Sequence, residues 1–177
     1  MQEYLDRKED QEDILNFNQR IKDSIGPFYP ELFWRSAFDV YNFMTDMKRQ
    51  YVNNRWFSIR LTETNEVVGE IQFHSGSRIN DFVEVGWTVM PEKQGRGYAT
   101  LAARKAFEVM FETTNINRIF ANIATTNYNS QAVAKKLHLT YEGTVRSRTL
   151  MKGVRYDDMI FSVLRREYDD WKSSFDQ

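Results

Sequence analysis

The sequence predicts one mixed α/β domain over residues 1–177, and three observations lead to this fold class. Apolar residues make up 41% of the chain and aromatic residues 15%, which is enough to fill a core. The apolar spacing changes between a helical and a strand period, in the order two helices, three strands, helix, strand, helix and two strands. No repeat, low-complexity tract or linker interrupts that order.

Composition argues against several classes of function. The 24 Lys and Arg residues nearly balance the 25 Asp and Glu residues, so we expect no direct contact with nucleic acid. The chain has no cysteine and only two histidines, so we expect neither a thiol nucleophile nor a metal site. The N-terminus is charged and no apolar run is long enough to span a bilayer, which predicts a cytoplasmic protein without membrane contact.

The predicted elements follow from these periods. Two N-terminal helices, Arg7–Ile25 and Phe38–Tyr51, precede an antiparallel meander of three strands joined by polar turns. The later elements, in chain order, are strands Trp56–Leu61, Val67–His74 and Val83–Val89, helix Tyr98–Thr113, strand Arg118–Ala124, helix Ser130–Leu137, strands Tyr141–Arg148 and Tyr156–Leu164, and a helical tail, Arg165–Phe175.

A glycine loop, Gln94–Thr100, joins the third strand to the helix that follows it. Gly95 and Gly97 leave the main chain open to a close approach, and Ala99 keeps the helix start narrow. Loop amides and the positive end of a helix both favour an anion there. The loop therefore predicts a pyrophosphate site or, alternatively, an ordinary strand-to-helix turn. It lacks the Gly-Lys-Ser/Thr ending of nucleotide hydrolases and the early glycine turn of dinucleotide-binding folds.

A second segment, Asn127–Leu137, follows the strand Arg118–Ala124. Asn127 or Ser130 can cap a helix at this place, and capping by itself would account for either residue. The segment gains meaning from its combination with the glycine loop.

The two motifs, in this order of elements, resemble the GNAT superfamily of acyl-CoA N-acyltransferases. The glycine loop matches its Gln/Arg-x-x-Gly-x-Gly/Ala signature, and Asn127 with Ser130 matches its later Asn-x-x-Ser/Ala signature. The ribosomal-protein N-acetyltransferases of the RimJ/RimL type are the branch most similar to this chain. Three further segments carry that likeness: Glu84–Trp87, Glu142–Arg146 and Gly153–Asp158. The resemblance covers roughly residues 55 to 168 and implies a mixed, mostly antiparallel twisted sheet with helices on both faces.

The resemblance implies acetyl-CoA as co-substrate, an amine as acceptor and no metal. Direct attack of the amine on the thioester needs a donor for the carbonyl oxygen, for which an amide near Val89 and Met90 is the candidate. The residues implied to bind acetyl-CoA are Val89, Met90, Gln94, Gly95, Arg96, Gly97, Tyr98, Ala99, Thr100 and Asn127.

Two residues are candidates for the proton transfers. The branch places a serine beside the sulfur, which implies that Ser130 protonates the leaving thiolate. Glu84, on the strand that leads into the glycine loop, is the leading carboxylate for removing the amine's proton through water. Glu70 and His74, on the neighbouring strand, are weaker candidates for the same task.

The acceptor follows from the cost of deprotonation. An α-amine with a pKa near ~7.8 is about 14% neutral at pH 7, whereas a lysine near ~10.4 is only about 0.04% neutral. The leading hypothesis is therefore acetylation of a protein N-terminus. A polyamine or aminoglycoside acetyltransferase is a second hypothesis, and a non-catalytic acyl-CoA-binding module is a third.

The chain departs from the superfamily at two positions. His138 replaces the glycine of the Leu-Gly-Phe turn, but histidine tolerates unusual backbone regions, so the turn can still form. The tyrosine that many members use as general acid falls at Ala134, so the proton must come from another group. Dimers are frequent in the branch, and exposed apolar residues on the last strands, Met159 and Phe161, would offer a surface for a homodimer.

Overall fold

A computed structural model of the chain describes residues 2–3, 55–74, 81–151 and 153–175. The strands are β1 (Gln2–Glu3), β2 (Arg55–Arg60), β3 (Val67–His74), β4 (Phe82–Val89), β5 (Arg118–Ala124), β6 (Thr140–Met151) and β7 (Val154–Leu164). The α-helices are α1 (Tyr98–Thr113), α2 (Tyr128–Lys136) and α3 (Tyr168–Ser173), and short 3₁₀ turns cover Pro91–Lys93 and Arg165–Glu167.

The strands form one sheet in the order β1-β2-β3-β4-β5-β7-β6. Among the described strands, all neighbours run antiparallel except β4 and β5, which are parallel. The parallel pair follows from the chain order, because the helical connection α1 returns the chain to the same end of the sheet. The predicted mixed, mostly antiparallel sheet is confirmed.

Strand alternation divides the sheet into two faces. One face, which we call the core face, carries Val83 and Val85 of β4, both buried against the apolar side of α1. Phe107 of α1 is at the centre of this core, with its ring stacked 5.8 Å from that of Trp171 in α3. The opposite face, which we call the polar face, carries Glu84 and the residues in register with it. The two helices predicted N-terminal to β2 lie outside the described residues.

Two side chains close the helix ends on the core face. Arg165 donates hydrogen bonds to the carbonyls of Ile116, Phe111 and Thr114 at 2.6, 2.9 and 2.6 Å, where α1 ends. The indole of Trp171 donates to the carbonyl of Leu137 at 2.7 Å, just past α2. Carbonyls at a helix end have no partner within the helix, so these bonds fix both helices to the C-terminal segment.

Some predicted bounds are wrong for physical reasons. Helix α2 begins at Tyr128 rather than Ser130, because Asn127 and not Ser130 is its N-cap. Strand β6 runs past Arg148 to Met151, because a bulge with Ser147 at φ 56° absorbs the irregularity and pairing resumes. Phe161 is only 2% exposed and belongs to the core, so it offers no surface for a homodimer.

Candidate active site

An opening in the sheet is the main feature of the site. Strand β4 pairs with β5 only from Phe82 to Glu84, opposite Arg118 to Phe120. Beyond this point β4 keeps its pairing with β3 up to Val89, but it has no described partner on the β5 side. We call the gap that begins here the strand opening. It exposes one edge of a strand inside a sheet, where main-chain donors and acceptors are available to a ligand.

The amides that point into the strand opening can be read from the ladder. The Met90 amide donates to the Val68 carbonyl of β3 at 2.9 Å. Because bonding alternates along an antiparallel pair, the amides of Val89 and Trp87 point the other way, towards β5. The oxyanion donor was predicted near Val89 and Met90. Of these two, only the Val89 amide points into the strand opening, because the Met90 amide donates to the Val68 carbonyl.

The glycine loop follows the end of β4, on one side of the strand opening. Gly95 and Gly97 have φ angles of 75° and 83°, a region that favours glycine, and a Cβ added at either would meet nothing within 4 Å. The space beside both main-chain segments is therefore open. The Gln94 side chain donates to the Val89 carbonyl at 2.9 Å and so ties the loop back to the end of β4. Lys93 adds a second tie through its ion pair with Glu66 at 3.0 Å.

Helix α1 starts directly after the loop without a side-chain cap. Its N-cap is Gly97, which has no side chain that could accept a hydrogen bond from the first turn. The amides of the first turn, which includes Tyr98, Ala99 and Thr100, have no carbonyl partner inside the helix. Arg96 is exposed beside them and adds a positive charge. The loop and the helix start therefore have the properties of an anion site.

A second helix start lies on the β5 side of the strand opening. Asn127 caps α2 by accepting a hydrogen bond from the Ser130 amide at 3.1 Å. This contact uses the main chain of Ser130 and not its hydroxyl. The buried Gln131 side chain donates to the carbonyls of Ala124 and Thr125 at 3.3 and 2.9 Å, which holds α2 at the end of β5. Ala134, where many members of the superfamily have tyrosine, is fully buried.

Polar side chains line the β3 side of the polar face. Glu70 is opposite Thr88, and His74 is opposite Glu84, so all four share this face. Glu70 is 4% exposed, and burial raises the pKa of its carboxyl from 4.5 to about 7, although a hydrogen bond from Gln72 opposes the rise. Burial also lowers the pKa of the His74 imidazole, so this ring favours its neutral form.

The β5 side of the same face has polar atoms without a protein partner. Both polar atoms of the Asn122 side chain and Oδ1 of Asp158 are buried and make no hydrogen bond within the described residues. Asp158 is 3% exposed, and its other oxygen accepts a hydrogen bond from Thr149 at 2.6 Å. Unsatisfied buried groups are rare in proteins, so these atoms are suited to contact a ligand.

The comparisons with known proteins agree with this arrangement. The acetyltransferase (GNAT) domain family matches residues 5–140 of the chain. The chain belongs to the GNAT acetyltransferase family. It is 29% identical over 139 residues to “Putative ribosomal N-acetyltransferase YdaF” of Bacillus subtilis, covering 77% of this chain and 76% of that protein.

Two solved structures show the same fold. The ribosomal-protein-S5-alanine acetyltransferase of Vibrio fischeri superposes with a TM-score of 0.79 at 21% identity, over 96% of this chain and 94% of that one. A SpeG spermidine N-acetyltransferase chimera from Vibrio cholerae and hSSAT has a TM-score of 0.77 at 17% identity, over 96% and 99% of the two chains. The predicted likeness to the RimJ/RimL type is confirmed, and the chain is an acyl-CoA-dependent N-acetyltransferase.

Within the described residues, this acetyltransferase has no helix of the length and apolar character needed to cross a membrane. The same part of the chain also contains no cluster of His, Asp and Glu side chains arranged to hold a metal ion.

The structure brings the predicted residues of the acetyltransferase to two sides of the strand opening. The glycine loop and Val89 lie on the β4 side, and Asn127 and Ser130 lie on the β5 side. Glu84 instead lies where the two strands are still paired. The sequence favoured Glu84 over Glu70 as the base. The hydrogen bond from Gln72 to Glu70 was not predicted. The signal was present as a polar residue at every second position from Glu70 to His74.

Proposed function

We propose that this acetyltransferase moves the acetyl group of acetyl-CoA to the α-amine of a protein N-terminus, by direct attack in a ternary complex. The relative named as a putative ribosomal N-acetyltransferase supports this acceptor class. The ribosomal-protein-S5-alanine acetyltransferase, at 21% identity, supports the fold alone. The spermidine enzyme among the neighbours is similar in fold at low sequence identity and supports the fold alone.

In this proposal the pyrophosphate of acetyl-CoA lies on the glycine loop and the start of α1. Gly95 and Gly97 provide open main chain, and Arg96 provides a positive charge. The pantetheine arm follows the edge of β4 through the strand opening, between Val89 and the Asn127 turn. Met90 contributes through its backbone position only, because its side chain is 1% exposed.

The chemical step needs three groups, and each has a candidate beside the strand opening or on the polar face. The amide of Val89 or Trp87 stabilises the negative charge on the thioester oxygen, a contribution of about 3 kcal/mol in other acyl-transfer enzymes. As the amine nitrogen bonds to the acetyl carbon, the carbon–sulfur bond breaks and the Ser130 hydroxyl protonates the thiolate. Ser130 regains a proton, through water, from the acetylated nitrogen. A carboxylate of the polar face removes the proton of the ammonium form before attack. Glu84, the candidate that the sequence favours, lies farther from the opening and would act only through water, and Glu70 is the alternative.

One observation carries the choice of an α-amine. The bases described on the polar face are carboxylates and a histidine, and the highest pKa resolved among them is about 7, at Glu70. Such bases suffice for an α-amine, which is about 14% neutral at pH 7, but they are weak for a lysine or polyamine nitrogen. The buried Ala134 also removes the tyrosine hydroxyl that many superfamily members use.

The Asn122 side chain gives independent support for a peptide acceptor. Its carboxamide offers one buried donor and one buried acceptor, and neither has a hydrogen-bond partner among the described residues. A peptide bond can satisfy both, whereas a polyamine carries only donors once protonated. A peptide N-terminus is therefore the better match for this side of the strand opening.

The proposal is tested by free-thiol release from acetyl-CoA with peptides, polyamines and aminoglycosides as acceptors. We expect release with peptides that carry a free α-amine and none after that amine is blocked. Faster release with polyamines or aminoglycosides would overturn the choice of acceptor. Binding of acetyl-CoA without release on any amine would identify a non-catalytic acyl-CoA-binding module instead.

A further inference from the structure

Three side chains on β3 form a hydrogen-bonded file along the polar face. Gln72 donates from Nε2 to the Glu70 carboxylate, and its own oxygen lies 3.1 Å from Nε2 of His74. A carboxamide oxygen only accepts, so His74 carries its proton on Nε2. Glutamine does not conduct protons readily, so the role of Gln72 in this file is to orient Glu70.

The file places a buried carboxylate at the open end of the sheet. Glu70 is opposite Thr88, the residue before Val89, whose amide points into the strand opening. Glu84 precedes Thr88 by four residues on β4, which is about 13 Å at the usual rise of a strand. At Glu84, β4 and β5 are still paired. The two glutamates therefore lie at opposite ends of the polar face.

Among the described residues, the polar and charged groups near Glu70 lie on three strands. Ser58 of β2 is directly opposite it, and Arg60 donates to the Ser58 hydroxyl at 3.3 Å. His74 is on the same strand, and Glu84 is across from His74 on β4. Burial is the largest influence on the pKa of Glu70 and raises it to about 7.

We infer that Glu70 is the base that takes the proton from the attacking α-amine, directly or through one water, with Gln72 as its positioning residue. This inference rests on the proposed function. Glu70 takes one proton from the protonated amine, and the neutral nitrogen that results forms its bond to the acetyl carbon. The electron pair of the carbon–sulfur bond leaves with the sulfur. The sulfur then gains a proton from the Ser130 hydroxyl, and Ser130 regains one, through water, from the acetylated nitrogen.

The match between base and acceptor supports this assignment. The ammonium form of an α-amine, with a pKa near ~7.8, gives up its proton to the Glu70 carboxylate, whose conjugate acid has a pKa of about 7, at a cost of less than about one pKa unit. An ordinary glutamate near ~4.3 would leave a gap of about 3.5 units with the same amine. A lysine near ~10.4 would leave a gap of similar size with Glu70 itself, so Glu70 also selects for α-amines.

The test compares Glu70→Gln with Glu84→Gln, using kcat at saturating peptide and acetyl-CoA from pH 5.5 to 9.5. At pH 7 we expect kcat to fall about 100-fold for Glu70→Gln and about tenfold or less for Glu84→Gln. The loss in Glu70→Gln should shrink towards pH 9.5, where the amine is already neutral. Glu63→Gln, an exposed change in the turn between β2 and β3, is the control and should keep the wild-type profile.

A second variant tests the role of Gln72 and does not depend on the folding of Glu70→Gln. Gln72→Met removes the donor that lowers the pKa of Glu70, so the acidic limb of the kcat profile should move to higher pH. A Glu70→Gln enzyme with wild-type kcat, an unmoved limb in Gln72→Met, or a larger loss in Glu84→Gln would each overturn the inference.

The failures of the two proposals are distinguishable. If the wild-type enzyme prefers polyamines, the proposed α-amine acceptor is wrong. The variants at Glu70 and Glu84 are then compared with a polyamine as acceptor, by the same criteria. If the wild-type enzyme acetylates peptides and Glu70→Gln keeps its activity, only the assignment of Glu70 as the base is wrong. If no amine causes thiol release, both the proposed function and the assignment of the base are wrong.

Discussion

The two sides of the strand opening recognise their ligands in different ways. The glycine loop and the start of α1 present main-chain amides on an exposed surface, with Gly95 and Gly97 in conformations that glycine favours. The polar face of β3 and β4 instead presents buried side chains, with Glu70 at 4% exposure. The first site therefore depends on backbone shape and the second on burial and charge, so different substitutions should damage them.

The largest expected effect concerns the polar face and is a pH dependence of stability. The raised pKa of Glu70 means that the folded chain keeps a proton between pH 4.5 and about 7 that the unfolded chain loses. The stability that Glu70 contributes is thus fully present below pH 4.5 and is lost as the pH rises to about 7. The size of this loss is roughly 3 kcal/mol.

Urea unfolding of wild type and Glu70→Gln across this range measures the effect. The stability of Glu70→Gln relative to wild type should increase with pH from about 4.5 to 7, because the variant has no carboxyl to ionise. Taking the difference cancels the opposite contribution of His74, whose pKa is lowered and which both proteins share. A difference that does not change with pH would mean that Glu70 is in contact with water.

The glycine loop should respond to bulk rather than to pH. A side chain at Gly97 would project into the open space beside the loop, so Gly97→Trp should weaken acetyl-CoA binding by at least about 100-fold, or about 2.7 kcal/mol. Calorimetric titration with acetyl-CoA measures this. Gly153→Trp is the matched control, because Gly153 has a similar φ of 76° and equally open surroundings but lies in the turn between β6 and β7. Equal loss in both variants would indicate backbone strain and not a blocked ligand.

Ser130 tests whether the β5 side of the strand opening takes part in chemistry. Ser130→Ala removes the hydroxyl but keeps the amide that Asn127 accepts from, so the helix cap remains. We expect kcat to fall about tenfold, less than a positioned acid usually contributes because water can replace it, with an unchanged affinity for acetyl-CoA. Steady-state kinetics with both substrates varied will show this, and an unchanged kcat would leave Ser130 with a structural role only.

The smallest expected effect is at the cap itself. Asn127→Ala removes the acceptor for the Ser130 amide, and loss of such a cap costs about 1 kcal/mol. Thermal unfolding in the absence of acetyl-CoA measures this cost. If Asn127 also binds acetyl-CoA as proposed, the variant should gain less stability than wild type when acetyl-CoA is added. An equal gain in the two proteins would limit Asn127 to capping.

Much of the fold could be predicted because its signals are local. The bounds of α1, β3 and β5 were predicted to the residue, since each has a clear period and is flanked by polar turns. The turn at His138 also formed as predicted, with φ at 53°. Its stabilising contacts could not be predicted, because Ser174, 2.6 Å from the ring, and Phe175, stacked at 4.8 Å, come from the far end of the chain.

The sequence by itself determined the family, the glycine loop and the alternation that separates Glu84 from Val85. These depend on residues within a few positions of one another, and the glycine spacing states directly where the backbone is open. The tertiary structure decided which carboxylate lies beside the strand opening. That choice depends on the register that sets Glu70 opposite Thr88, on the early end of the pairing between β4 and β5, and on burial, which no local pattern encodes.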